Sequence, residues 1–161
     1  MVSVGDTLPA GKLFEMTGEG PKQIDTGPLF EGRKVAIFGV PGAFTPTCHN
    51  THVPSFVSAA EALGGKGVDE VICVAVNDPF VMGQWGAISG ASGAGIRMLG
   101  DADGSFTKAL GLDFDGSAVG LGVRAKRFSA LVDSGTVKVL NVEDNPGEAV
   151  CTLGEALVDQ I

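Results

Sequence analysis

Long apolar runs are missing from this chain: no stretch approaches the ~20 residues that a membrane-spanning helix requires. Positive charge is scarce as well. Lys and Arg number 11 against 19 Asp and Glu, a formal charge of −8, which argues against nucleic acid or an anionic membrane surface as a partner. Cysteine is sparse and odd in number, three in 161 residues. That does not look like a secreted disulfide framework, and a reducing compartment with thiol chemistry fits better than structural bridges. Histidine occurs twice, and Cys48, His49 and His52 crowd into one short stretch without the second, separated ligand pair of ordinary zinc sites. No metal is expected there, and His49 and His52 read as helix-surface residues that can modulate the field of a nearby thiolate.

Other signals are absent too. The segment Gly90-Ala-Ser-Gly-Ala-Gly95 is not a G-x-G-x-x-G turn after a strand, so it reads as a flexible loop and not as a nucleotide site. No internal repeat or linker divides the sequence, and 161 residues suit one domain, residues 1–161, that buries roughly 68–70% of its unfolded surface without staples. The beginning, Met1-Val2-Ser3-Val4-Gly5-Asp6, has neither an apolar signal core nor an Arg-rich presequence. The expectation is a cytoplasmic protein, or an organellar one without its transit peptide.

What is present centres on Cys48. Lys34–Gly39 and Val40 form a continuous apolar run rich in β-branched side chains, as a buried central strand requires. A loop follows, and Thr45-Pro46 is a helix-start signal: an N-cap hydroxyl, then proline where no amide hydrogen is missed. Cys48 falls in the first turn, where unpaired backbone N–H groups and the positive end of the helix dipole favour a thiolate. The position taken alone also suits a small core hydrophobe.

The spacing Pro41-x-x-x-Thr45-x-x-Cys48, within Val40-Pro-Gly-Ala-Phe-Thr-Pro-Thr-Cys48, resembles the active-site signature of the peroxiredoxins, specifically their type 5 or type II branch. Gly67–Trp85, with Asn77-Asp78-Pro79-Phe80, is similar to that family's second strand and following helix. Arg124-Ala-Lys-Arg127-Phe-Ser carries the family's arginine. Strand-like runs at Val35–Val40, Glu70–Val76, Ile96–Leu99, Phe128–Asp133 and Val137–Val142 alternate at first with helical patterns. This predicts an α/β, thioredoxin-like fold: a central mixed β-sheet flanked by helices, with a small N-terminal hairpin from Leu13–Met16 and Gln23–Asp25 outside it. The last two strands join at Ser134-Gly135. Helices are expected over Pro46–Leu63, Phe80–Ser89, Ser105–Leu110 and Leu153–Gln160, with a kink or break just before Pro54, which has no amide hydrogen to donate.

The resemblance implies a thiol peroxidase acting on hydrogen peroxide, alkyl hydroperoxides and peroxynitrite. Cys48 is then the nucleophile, Thr45 bridges sulfur and peroxide, Arg127 steadies the departing oxygen, and Pro41 shields the pocket. Arg124 is read as structural. The product is a Cys48 sulfenic acid that a second thiol converts to a disulfide. Cys151, in a loop-like setting similar to animal members, is the preferred resolving cysteine; Cys73, in mid-strand and 25 residues beyond Cys48, matches the plant-like arrangement and is the second choice. Thioredoxin or glutathione with glutaredoxin is the implied electron donor, and no metal, haem or flavin is implied. Phe44, Phe80 and Trp85 would lie near the site's rim and a dimer contact, and an apolar patch there would admit alkyl hydroperoxides. A thioredoxin-like binding module or chaperone without turnover is the alternative. A thiol-disulfide oxidoreductase would want Cys-x-x-Cys, whereas Thr45 and Thr51 flank Cys48 at that spacing.

Overall fold

A computed structural model describes residues 1–161. Seven strands form one mixed sheet in the order β2-β1-β5-β4-β3-β8-β9. They are β1 (Lys12–Thr17), β2 (Gly20–Asp25), β3 (Lys34–Gly39), β4 (Glu70–Ala75), β5 (Arg97–Gly100), β8 (Phe128–Asp133) and β9 (Thr136–Val142). Five helices accompany them: α1 (Thr26–Phe30), α2 (Val53–Gly65), α3 (Pro79–Ser89), α4 (Ser105–Leu110) and α5 (Gly154–Gln160). β6 (Asp113–Asp115) and β7 (Val123–Ala125) make a separate small hairpin. No helix is long and apolar enough to cross a membrane.

The continuous apolar runs are explained by burial on both faces of the sheet. Ala36, Phe38 and Val40 point with Cys73 toward α2, α3 and α5, where Val53, Phe56, Trp85 and Leu157 join them. Val35, Ile37, Ile72 and Val74 point the other way, onto α1 and α4 through Leu29, Phe30, Phe106 and Leu110. The period-two alternation of side chains on a strand thus divides one apolar run between two cores. β3, β4 and β5 are parallel, and β8 runs antiparallel to β3, so the end of β3 and the start of β8 meet at Gly39 and Phe128. This is the thioredoxin-like arrangement expected from the sequence.

Three details depart from that expectation. The N-terminal hairpin does not stand outside the sheet, because β1 pairs with β5 (Phe14 with Gly100, Glu15 with Leu99) and Arg97 holds the Glu15 carboxylate through two hydrogen bonds of 2.8 and 3.1 Å. The helix α1 and the hairpin β6–β7 were not anticipated; elements of three to five residues are too short to show a period. The segment after Gly90 contains a 3₁₀ turn over Ser92–Ala94. By contrast, the turn between β8 and β9 has positive φ at both Ser134 (49°) and Gly135 (82°), as a two-residue hairpin needs.

Helix α5 is seated on α2 through a glycine. A Cβ on Gly154 would lie 2.5 Å from the Ser55 carbonyl oxygen and 2.9 Å from the Ala59 Cβ, and neither neighbour is a flexible side-chain end. Gly154→Ala is therefore expected to lower stability by about 1–3 kcal/mol, read as a reduced urea midpoint with an unchanged slope; an unchanged midpoint would show that α5 adjusts freely.

Candidate active site

The chain leaves β3 at Gly39 and enters the loop Pro41–Thr45 before a helix that begins at Pro46. Asn77, in the turn before α3, accepts the Ala43 amide at 3.0 Å, and Arg124 donates to the Pro41 carbonyl at 3.3 Å and to the Leu121 carbonyl at 2.8 Å. Both hold the loop against the sheet, and Phe44 within it adopts a left-handed backbone, φ 66°. Thr45 accepts the His49 amide with its carbonyl, as an N-cap residue does, yet its hydroxyl does not cap the helix. The hydroxyl donates to the Gly42 carbonyl at 2.7 Å. Its oxygen lone pairs remain available to a ligand.

Residues Cys48–His52 form a π-helical turn, with the Val53 amide bonded to the Cys48 carbonyl, immediately before Pro54. The irregularity expected from Pro54 is thus a widened turn, consistent with a proline that cannot donate to Asn50. The turn points Cys48 and His52 inward together. Cys48 is wholly buried, as is His52, and Arg127 is 1% exposed. Arg127, just before β8, directs its guanidinium at both: Nη2 donates to Cys48 Sγ at 3.2 Å, and Nη1 donates to His52 Nδ1 at 3.0 Å. Nε and Nη2 also donate to the Pro146 carbonyl at 3.2 and 3.0 Å.

His52 is accordingly not a surface residue. Its Nε2 lies 3.0 Å from the Thr152 carbonyl, which can only accept, and Arg127 can only donate, so the ring is neutral with its proton on Nε2. Burial first, and then the Arg127 charge, bring its pKa from 6.5 down to about 3, against the opposing effects of the Thr152 carbonyl and Glu143. His49, half-buried, accepts the Trp85 Nε1–H at 2.9 Å. Trp85 is fully buried, so of the three aromatics placed at the rim only Phe44 (47% exposed) and Phe80 (64%) face outward.

A cavity of about 370 Å³ opens above the site, lined by Pro41, Thr45, Arg127 and Pro146, with Phe114 and Leu121 supplying apolar wall. Four of the sequence-selected residues, Pro41, Thr45, Cys48 and Arg127, thus converge. Cys151 lies apart in the turn before α5, exposed, its thiol 3.7 Å from the Val142 carbonyl. Desolvation and then the Glu143 carboxylate push that thiol's pKa up. Cys73 is buried in β4, and burial, followed by the nearby Cys48, raises its pKa well above the ordinary value. No three His, Cys, Asp or Glu side chains are grouped to hold a metal ion. Sequence reasoning missed Asn77, Glu143, Pro146 and Thr152 as parts of this region, and only His52, one helical turn beyond Cys48, carried a spacing signal that could have revealed it.

The redoxin family profile matches residues 3–157. Peroxiredoxin-2C of Oryza sativa subsp. japonica is 51% identical over 144 residues, 89% of this chain and 88% of that one. Among solved structures, reduced Prx3 from Vibrio vulnificus in complex with hydrogen peroxide is 42% identical, with TM-score 0.93 and 99% of each chain covered. Peroxiredoxin 5 from Alvinella pompejana is 33% identical, with TM-score 0.85 and 98% and 96% covered.

The neutral, buried His52 has a consequence for stability. Its folded pKa, about 3, lies below its unfolded value near 6.5, so the unfolded chain binds the extra proton between those limits. Stability from this group is complete above pH 6.5 and is lost as pH falls toward 3. The urea midpoint should fall over that window, and less steeply in His52→Asn than in the parent protein; equal slopes would mean that other groups alone set the dependence.

Proposed function

The chain belongs to the peroxiredoxins, of the type II or type 5 kind, within the redoxin family, and on that premise we propose that Cys48 is the sulfur that attacks peroxide, with Thr45, Arg127 and Pro41 completing the site and residues 1–161 acting as one domain. A peroxiredoxin is a thiol peroxidase: it reduces peroxides at the expense of a thiol reductant and serves antioxidant defence. The observation that carries the assignment of residues is the Arg127 guanidinium 3.2 Å from a fully buried Cys48 sulfur.

The Cys48 thiolate attacks the terminal oxygen of ROOH, the S–O bond forms as O–O breaks, and the departing RO⁻ takes up a proton from solvent, leaving Cys48–SOH and ROH. Arg127 holds positive charge where the oxygen anion develops. Thr45, whose own proton is directed to Gly42, can accept from the peroxide hydroxyl, and Pro41 closes the cavity wall. Hydrogen peroxide is the substrate that the Vibrio vulnificus relative holds; the apolar wall of Phe114 and Leu121 suits alkyl hydroperoxides, and peroxynitrite is the third substrate.

Cys151 then attacks the sulfenic acid, giving a Cys48–Cys151 disulfide and water, and thioredoxin or glutathione with glutaredoxin restores both thiols. The exposed turn that carries Cys151 can move with less loss of structure than the β4 strand that carries Cys73. The outward Phe44 and Phe80 are the surface on which two copies would pair, and the protein works in the cytoplasm or an organelle.

Cys48→Ser should abolish peroxide consumption while the far-UV spectrum is unchanged, and turnover near that of the parent would remove the assignment. Arg127→Ala should slow the first peroxide reduction by about 10²–10³, with Arg127→Lys recovering only part, because a point charge lacks the planar fork; an unaltered rate in Arg127→Ala would exclude its role.

Cys151→Ser should retain that first reduction and lose thioredoxin-driven cycling, and Cys73→Ser should leave both intact. Peptide mapping after one equivalent of peroxide checks this directly: a Cys48–Cys73 peptide, or unimpaired cycling in Cys151→Ser, would replace the scheme.

A further inference from the structure

Glu143 lies one residue beyond β9 and is 8% exposed. One of its oxygens, Oε1, accepts three hydrogen bonds from the turn that contains Cys151: the Val150 amide at 2.6 Å, the Thr152 amide at 3.0 Å and the Thr152 hydroxyl at 2.9 Å. Burial opposes its charge, but these donors outweigh burial and hold the carboxyl below its ordinary range. Thr152 is thereby fixed at its amide and hydroxyl, and its carbonyl accepts the Nε2–H of His52 at 3.0 Å. That bond fixes the tautomer and leaves the Nδ1 lone pair facing Arg127 Nη1 at 3.0 Å, while Nη2 reaches Cys48.

We propose that Glu143 is a positioning residue for the peroxide step: through Thr152 and the His52 ring it holds the Arg127 guanidinium against the Cys48 sulfur. Without the carboxylate, the turn loses all three of its anchors on Oε1, two of them made by Thr152, and the Thr152 carbonyl is no longer held under His52. The ring can then carry its proton on Nδ1, where it faces an N–H of Arg127 donor against donor. The Pro146 carbonyl still accepts from Nε and Nη2, so the guanidinium is loosened rather than released, and the rate falls by less than when Arg127 itself is removed. This rests on the reading of Cys48 as the peroxide-reacting thiol; a peroxide burst in the parent protein that is absent in Cys48→Ser checks that reading separately.

The test is a double-mutant cycle on single-turnover peroxide reduction by the full chain, with hydrogen peroxide as the probe. Glu143→Ala should slow the step at least about tenfold, of the order seen when outer supports of a reacting group are lost. His52→Asn keeps an acceptor at the Nδ1 position and removes the link to Thr152. In that background Glu143→Ala should cost less than about twofold, because the relay is already cut. If the alanine variant does not keep the native far-UV spectrum, Glu143→Gln, which preserves shape and one neutral acceptor, takes its place with an expected loss of about threefold, neutral acceptors being roughly half as strong. Nitrogen NMR of the parent protein at pH 6 should show His52 neutral with the proton on Nε2. A parent-like rate in the Glu143 variant, an equal loss in both backgrounds, or a His52 proton on Nδ1 would each overturn the proposal.

Discussion

A guanidinium that is 1% exposed is the constraint on which the site depends. A buried cation is costly unless its N–H groups are met and its charge is balanced. The ion pairs of the molecule lie elsewhere, between Arg33 and Glu70 and between Arg97 and Glu15 or Glu70. Arg127 has instead a carbonyl, a neutral imidazole and the Cys48 sulfur. Of these, only the sulfur can carry negative charge. The fold therefore sets a buried cation 3.2 Å from the sulfur, the one partner that can balance it.

Four separate parts of the chain have to agree for this arrangement to hold. The end of β3 delivers the Pro41–Thr45 loop, and the register of β3 on β8 (Gly39 opposite Phe128) sets Arg127 beside it. The π-turn before Pro54 gives Cys48 and His52 a common inward face. The segment from Glu143 to Thr152, folded back over α2, closes the site from the far side with Pro146 and Thr152. Thr152 is linked to the Cys48 sulfur by single hydrogen bonds in series through His52 and Arg127, beside the two that Arg127 gives the Pro146 carbonyl. That segment also carries the exposed Cys151, so a movement that brings Cys151 inward disturbs the same bonds that hold His52.

The sheet and the candidate nucleophile were legible in the sequence alone. Apolar runs of five or six residues separated by helical patterns leave little choice but a two-faced sheet, since each such strand must be covered on both sides. Pro46 marks a helix start by local chemistry alone, and Ser134-Gly135 marks a hairpin because few residue pairs accept two positive φ values. Pro41, Thr45 and Cys48 lie within one short motif, and Arg127 within another, so their types and spacing were legible before any coordinates.

How those residues are supported follows from the packed fold. His52 read as a surface residue because helical periodicity does not include a widened turn, which rotates it into the core. Trp85 is buried while Phe44, its ring centroid 6.3 Å away, is exposed, a choice that composition cannot make between two aromatics. Pro146 and Thr152 meet Arg127 and His52 through backbone carbonyls at separations of 19 and 100 residues, and the Glu143 carboxylate meets a turn that has no regular structure. A carbonyl is the same in every residue, and a long-range hydrogen bond leaves no period in the chain; its partners are fixed by where the backbone passes, which the packed fold alone specifies.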